Sequence, residues 1–154
     1  MTDSPARYVL CMKWGRKYGP EYVNRLYAMV RRHLHGDFQL VCLTDDASGI
    51  RPEVRCLPIP ALDLPLGSPE RGWTKLVSFA ADLHGLRGTA LFLDVDVVVV
   101  GALEAFFELP GEFLIIHDYK RPWRVTGNSS VYRFELGAHP DVLDYFRSHV
   151  DEVR

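Results

Sequence analysis

Two aspartates interrupt the most apolar stretch of this chain. Residues 91–100 read LFLDVDVVVV, with Asp94 and Asp96 set among seven aliphatic side chains and a phenylalanine. An apolar, β-branched run of this length predicts a central strand buried on both faces. A carboxylate there costs on the order of several kcal/mol unless something compensates it. Residues two apart on a strand share a face and lie about 7 Å apart, at about 3.3 Å of rise each. Both carboxylates can then face one site at a strand end. A hard divalent cation is the simplest compensator for two such oxygen ligands, with water and a phosphate completing its shell. The plainer alternative is a strand that ends at Asp94 and resumes at Asp96, each carboxylate solvated or salt-bridged. The apolar flanks weigh against it, because a solvated turn rarely lies among aliphatic residues.

Such a pair must be positioned by neighbouring elements. Arg7 to Met12 (RYVLCM) is an apolar run and a first strand. Lys13 to Gly19 is a basic, glycine-punctuated loop, and Pro20 suits the first turn of a helix. Val23, Leu26, Tyr27, Val30 and Leu34 recur at helical spacing before a stop at Gly36. Phe38 to Leu43 is a second strand, ending in Thr44-Asp45-Asp46. Val54 to Ile59 holds a short third strand, and Pro58 to Pro69 is a proline-rich loop. Glu70 to Leu83 predicts a second helix, with Trp73, Leu76, Val77, Ala80 and Leu83 on one face. Thr89 to Asp94 is the buried strand, and Val97 to Val100 continues the extended run. Ala102 to Leu109 is a short helix, Phe113 to His117 and Val131 to Phe134 are strands, and Pro140 to Val150 is a closing helix. Alternating strands and helices predict an α/β sandwich with a largely parallel sheet. Ligands of such sheets bind beyond the carboxyl ends of the strands. The loops there are Lys13–Gly19, Thr44–Ser48 and the Asp94–Asp96 segment.

A chain of 154 residues suits one domain with a real core. The net charge of -2 argues against a nucleic-acid surface. No apolar stretch is long enough to span a bilayer, and the N-terminus has no signal-peptide pattern. Cys11, Cys42 and Cys56 are isolated and odd in number, so free thiols in a reducing cytoplasm are expected rather than a disulfide framework.

The order of these pieces resembles a known family. Strand, basic loop, helix, a strand ending LTDD, a helix carrying Trp73 and Lys75, LFLDVDVVVV and then GNSSVYRF is similar to the nucleotide-sugar-binding half of a GT-A glycosyltransferase. The likeness is to the glycogenin-like transferases of family 8 and their bacterial relatives, and it runs from Arg7 to the end. It implies a Rossmann-like α/β/α sandwich and a single GT-A-like domain over residues 1–154. It also implies transfer of a sugar from a nucleoside diphosphate, a UDP-sugar by preference, to an acceptor hydroxyl. In that pattern Asp94 meets the ribose or the metal, and Asp96 ligates Mn2+ or Mg2+. Lys75 holds the diphosphate or the two carboxylates. Met12, Lys13 and Asp45 lie near the nucleoside, and Asn128 and Ser129 bond the donor sugar. The plainer alternatives are a solvated helix lysine for Lys75, a turn for Asp45-Asp46, and an ordinary loop for Gly127–Ser130. The family also takes a third metal ligand, a histidine, from beyond the GNSS strand, and its members are longer. The chain is therefore expected to be a truncated or minimal copy, with His117 and His149 matching that ligand poorly. His117-Asp118 and the YKRPWR segment, Tyr119 to Arg124, are candidates for lining the sugar or acceptor site.

Two rivals stand beside this. Asp94-Val95-Asp96 also fits the nucleophile signature of a haloacid-dehalogenase-like phosphotransferase, with Asp94 as nucleophile. That class needs a later lysine and a later acidic pair as further metal ligands; Lys120 follows Asp96, but no adjacent acidic pair follows in a suitable strand-end context, and its signature opens the domain, whereas some 90 residues precede it here. The other rival is a non-catalytic module that binds a nucleotide-sugar.

Overall fold

The computed structural model describes residues 6–64 and 72–153. Six strands form one mixed sheet: β1 (Arg7–Lys13), β2 (Gln39–Thr44), β3 (Arg55–Leu57), β4 (Thr89–Leu93), β5 (Phe113–His117) and β6 (Gly127–Glu135). Their order is β3-β2-β1-β4-β6-β5. The first four are parallel, and β6 runs antiparallel to both β4 and β5. The α/β class and the mostly parallel core follow the pattern of alternating elements. The antiparallel β6 makes the sheet mixed.

Side chains alternate across the central strands and feed two cores. Leu10, Val41, Ala90, Phe92 and Phe134 lie on one face, with Val77 and Leu143 packed over them. Val9, Cys11, Leu40, Leu91 and Leu93 lie on the other, under Val23, Leu26 and Val30 of helix α1 (Pro20–His33). Pro20 starts α1 in its first turn, where a missing N–H costs nothing. Helices α2 (Glu104–Glu108), α3 (Pro140–Ser148) and α4 (Val150–Val153) complete the chain. The closing segment is thus two helices, broken at His149, rather than one.

Glu104 ties α2 to the end of α1. Its carboxylate accepts the His35 backbone N–H at 2.7 Å and meets the His35 ring Nδ1 at 2.8 Å. These bonds, the backbone one foremost, pull its pKa down to about 2. A carboxyl group depressed on folding adds stability above its unfolded pKa, near 4.5, and loses it as pH falls through the folded value. Glu104→Gln should therefore make the loss of stability between pH 4.5 and 2 shallower, as followed by urea unfolding. Glu53, also held at about 2 by Arg51, supplies part of what remains. An acid limb identical to wild type would show that the Glu104 contact carries no weight.

Three expectations need correction. The helix expected over Glu70–Leu83 is a 3-10 helix over Trp73–Phe79, and Glu70 lies outside the described residues. Gly72, at φ 77°, sets the chain into it, and the backbone turns extended at Ala80. The strand expected to run on to Val100 ends at Leu93. Its partner β1 pairs with it only as far as Phe92, so beyond that point one side of the ladder is lost. Val98 and Val100 are exposed rather than core residues. The Gly127–Ser130 segment, open to reading as a loop, is the first part of β6. The loop expected at Pro58–Pro69 is irregular as far as Leu64, and its remainder lies outside the described residues.

The three thiols are free, and register places them in a row. Cys11 pairs with Cys42, and Cys42 with Cys56, across β1, β2 and β3. Among the described residues no helix is long and apolar enough to cross a membrane.

Candidate functional site

The strand order reverses between β1 and β4. From β1 the chain winds outward through β2 and β3, then returns to place β4 on the other side of β1. In parallel α/β sheets such a reversal is where ligands bind, beyond the carboxyl ends of the strands. A cleft of about 320 Å3 lies there. Met12 and Trp14 line it from the end of β1, Lys17 and Tyr18 from the following loop, and Asp94 and Asp96 from the end of β4. Lys75 of the 3-10 helix closes another side.

Asp94 and Asp96 reach this cleft by a turn, not by strand alternation. The Asp94 N–H still donates to Ser130 of β6 at 2.9 Å, the last step of the ladder. The Val97 N–H then donates to the Asp94 carbonyl at 3.2 Å, closing a turn over Asp94–Val97. Two residues inside one turn converge on a site by a different route from two on a strand face.

The carboxylates have different partners. Lys75 Nζ sits 2.6 Å from Asp94 Oδ1 and 2.9 Å from Oδ2, and donates also to the Ser129 carbonyl at 3.3 Å. Both side chains of this pair are about one-fifth exposed. Asp96 is exposed and accepts the Tyr18 hydroxyl at Oδ2, 2.7 Å away. That bond holds the Tyr18 hydroxyl above its usual pKa. Oδ1 of Asp96 has no hydrogen bond among the described residues.

Among the described residues no three His, Cys, Asp or Glu side chains gather as a cage. Two carboxylates within one turn do offer hard oxygen, the chemistry Mg2+ and Mn2+ take, and such ions often rely on one or two carboxylates plus substrate phosphates. The residues fit a cation of that shared kind. Asp96, with a free oxygen, suits direct ligation, whereas Asp94 is already engaged by an ammonium.

The remaining sequence candidates divide. Met12 lines the cleft. Lys13 is buried, and its amine donates to the Asp46 carbonyl at 3.2 Å, linking β1 to the loop after β2. Asp45 accepts the Gly15 N–H at 2.9 Å and so ties the same two loops. Asp46 accepts from Ser48 and acts as a turn former, its carboxyl held low by that bond. Ser129 contributes its carbonyl to Lys75, while Asn128 Oδ1 accepts the Ser130 N–H within its own strand. His117 and the Tyr119–Arg124 segment stand at the same sheet edge, but Tyr119 and Trp123 are largely exposed and outside the cleft walls described. His149 bonds back to Tyr145 of α3.

No family model matches this chain, and no curated protein matches it either.

Trp14 and Tyr18 were not among the residues singled out from sequence. The signal for Tyr18 was its place in the loop leaving β1 at the switch point, where polar and aromatic side chains of the first βα connection meet a ligand.

Proposed function

We propose that the chain is a glycosyltransferase domain that binds a nucleoside-diphosphate sugar at the β1/β4 switch point and transfers its sugar to an acceptor hydroxyl. The observation that carries this is one cleft gathering two carboxylates and an ammonium beside the apolar side chains of Met12 and Trp14. The resemblance to GT-A transferases of family 8 supports it.

A diphosphate laid in the cleft meets Lys75, whose amine Asp94 holds in place. Charge grows on the β-phosphate oxygen as its bond to the anomeric carbon breaks. Lys75 donates to that charge from a half-buried setting, where an electrostatic contact is worth more than in water. A divalent cation held by Asp96, with Asp94 beside it, would supply further neutralisation of the leaving diphosphate. Tyr18 restrains the Asp96 carboxylate. Met12 and Trp14 give the apolar wall for the nucleoside.

The phosphotransferase alternative makes Asp94 a nucleophile that forms an aspartyl-phosphate. Lys75 engages both Asp94 oxygens, which favours a binding role. Thermal unfolding separates the two. UDP-glucose with Mn2+ should raise the melting temperature by an amount set by ligand concentration over Kd. Beryllium fluoride with Mg2+, a mimic of the aspartyl-phosphate, should leave it unchanged. Release of phosphate from simple phosphomonoesters, lost in Asp94→Asn, would overturn the transferase in favour of the hydrolase.

A further inference from the structure

The β5–β6 connection carries a motif that the cleft does not use. Residues 119–125 read YKRPWRV. Ile115 aligns with Tyr132, and Tyr132 with Phe92 near the end of β4. The connection therefore leaves the sheet at the same edge as the cleft. Its own backbone fixes its shape. The Asp118 N–H donates to the Thr126 carbonyl at 2.8 Å and closes the base. Two turns follow: the Arg121 N–H donates to the Asp118 carbonyl at 3.0 Å, and the Arg124 N–H to the Arg121 carbonyl at 2.9 Å. Pro122 is the second residue of the later turn, where its ring presets φ. The Asp118 carboxylate accepts the Lys120 N–H at 3.1 Å.

The side chains of this tip reverse the usual sorting. Trp123 is 77 % exposed, Tyr119 69 %, and Val125 wholly so. Single apolar residues on a surface are ordinary, but three within seven residues make a patch. They are interleaved with Lys120, Arg121 and Arg124, all exposed. Among the described residues none of these cations pairs with a carboxylate. The tip thus holds three positive charges and no negative one, in a chain whose net charge is -2.

We propose that this tip docks on an anionic lipid bilayer. Tyrosine and tryptophan rings favour the boundary between water and hydrocarbon, where the ring is dry and its polar atom wet. Lysine and arginine beside them reach anionic headgroups on long apolar stems. The small size of the tip favours a bilayer over a macromolecule. Seven residues offer far less than the about 800 Å2 per side of a standard protein interface. Nor is a tip exposed throughout the kind of groove that tracks a single-stranded nucleic acid. A bilayer requires no complementary shape. Because the loop is already held in turns, insertion costs little chain entropy. Docking of the tip does not depend on the transferase reading.

Flotation with vesicles tests this on the full chain. In 0.1 M salt the chain should float with vesicles of phosphatidylcholine and phosphatidylserine, and not with phosphatidylcholine alone. Raising salt to 0.5 M should weaken the association, because it screens the three charges. On binding, tryptophan emission should shift to the blue, and lipids brominated on their acyl chains should quench it. Trp123→Phe should still float but lose both optical changes, which assigns them to the tip. Replacing Lys120, Arg121 and Arg124 together by glutamine should weaken binding roughly 100-fold, about five-fold for each charge. All three are exposed, so the urea unfolding midpoint should not move. No flotation with the anionic vesicles, equal flotation with neutral ones, or undiminished flotation of the triple variant would overturn the proposal. Quenching of Trp123 by oligouridylate, with no response to vesicles, would overturn it in favour of a nucleic acid.

Discussion

Lys75→Met should weaken nucleoside-diphosphate binding by about 1.5–3 kcal/mol, the range for hydrogen bonds to charged groups. That corresponds to roughly 10- to 150-fold in Kd. The free nucleoside, which has no phosphate for the amine to meet, should bind nearly as before. Methionine keeps the apolar stem of the side chain over Phe92, whose ring lies 5.7 Å from the Lys75 amine. The substitution therefore removes charge with little loss of packing. The same change leaves Asp94 without its ammonium, so Lys75→Arg is the useful companion: it restores charge, but its planar fork replaces a compact point donor. Calorimetric titration of uridine against UDP reads the difference. An equal loss for both ligands would mean that the 3-10 helix had been disturbed and that Lys75 makes no contact of its own with the diphosphate.

Arg133→Met should destabilise the fold by about 3 kcal/mol, with no direct effect on the cleft chemistry. Arg133 is only 7 % exposed, and its guanidinium donates to three backbone carbonyls: Phe106 at 2.7 Å, and Leu109 and Gly111 at 2.5 Å each. The first of those carbonyls lies in α2, and the other two in the segment that carries the chain from α2 to β5. The guanidinium satisfies them together, as a fork of fixed donors can and an ammonium cannot. Arg133→Lys should recover only part of the loss. Urea unfolding at neutral pH measures both variants, and a loss below about 1 kcal/mol for methionine would contradict the structural role.

Some of this organisation could be read in the residues alone. The strands read at Arg7–Met12, Phe38–Leu43 and Thr89–Asp94 are short apolar runs bounded by turn signals, and each overlaps an observed strand, differing by a residue at one or both ends. Val23, Leu26 and Val30 at helical spacing are the buried stripe of α1. Asp94, Asp96, Lys75 and Met12 were singled out and do line one cleft. What periodicity misses is pairing. LFLDVDVVVV is apolar apart from its two aspartates, yet a strand lasts only where a neighbour supplies its ladder, and the β1–β4 pairing ends at Phe92. The two aspartates therefore meet through a turn. The 3-10 helix was missed for a related reason: over seven residues, spacings of 3.0 and 3.6 per turn place nearly the same side chains inward. Arg133 and Tyr18 were not legible as anchors. Nothing in VYRF says that a buried arginine will cap three carbonyls far along the chain. Nor does KYGP reveal that its tyrosine will meet a carboxylate 78 residues later.

The central claim is that the turn at the end of β4 binds a nucleoside diphosphate with the help of a divalent cation through Asp96. Calorimetry of UDP binding in Mn2+ and in EDTA, for the wild-type chain and for Asp96→Ala, tests it most directly. Asp96 is exposed within a turn, so its removal should leave the fold intact, which the unfolding midpoint of the variant checks. The wild-type chain should bind UDP more tightly in Mn2+ than in EDTA, and Asp96→Ala should bind with one affinity in both. Equal wild-type affinity with and without metal, or an undiminished metal effect in the variant, would contradict the account.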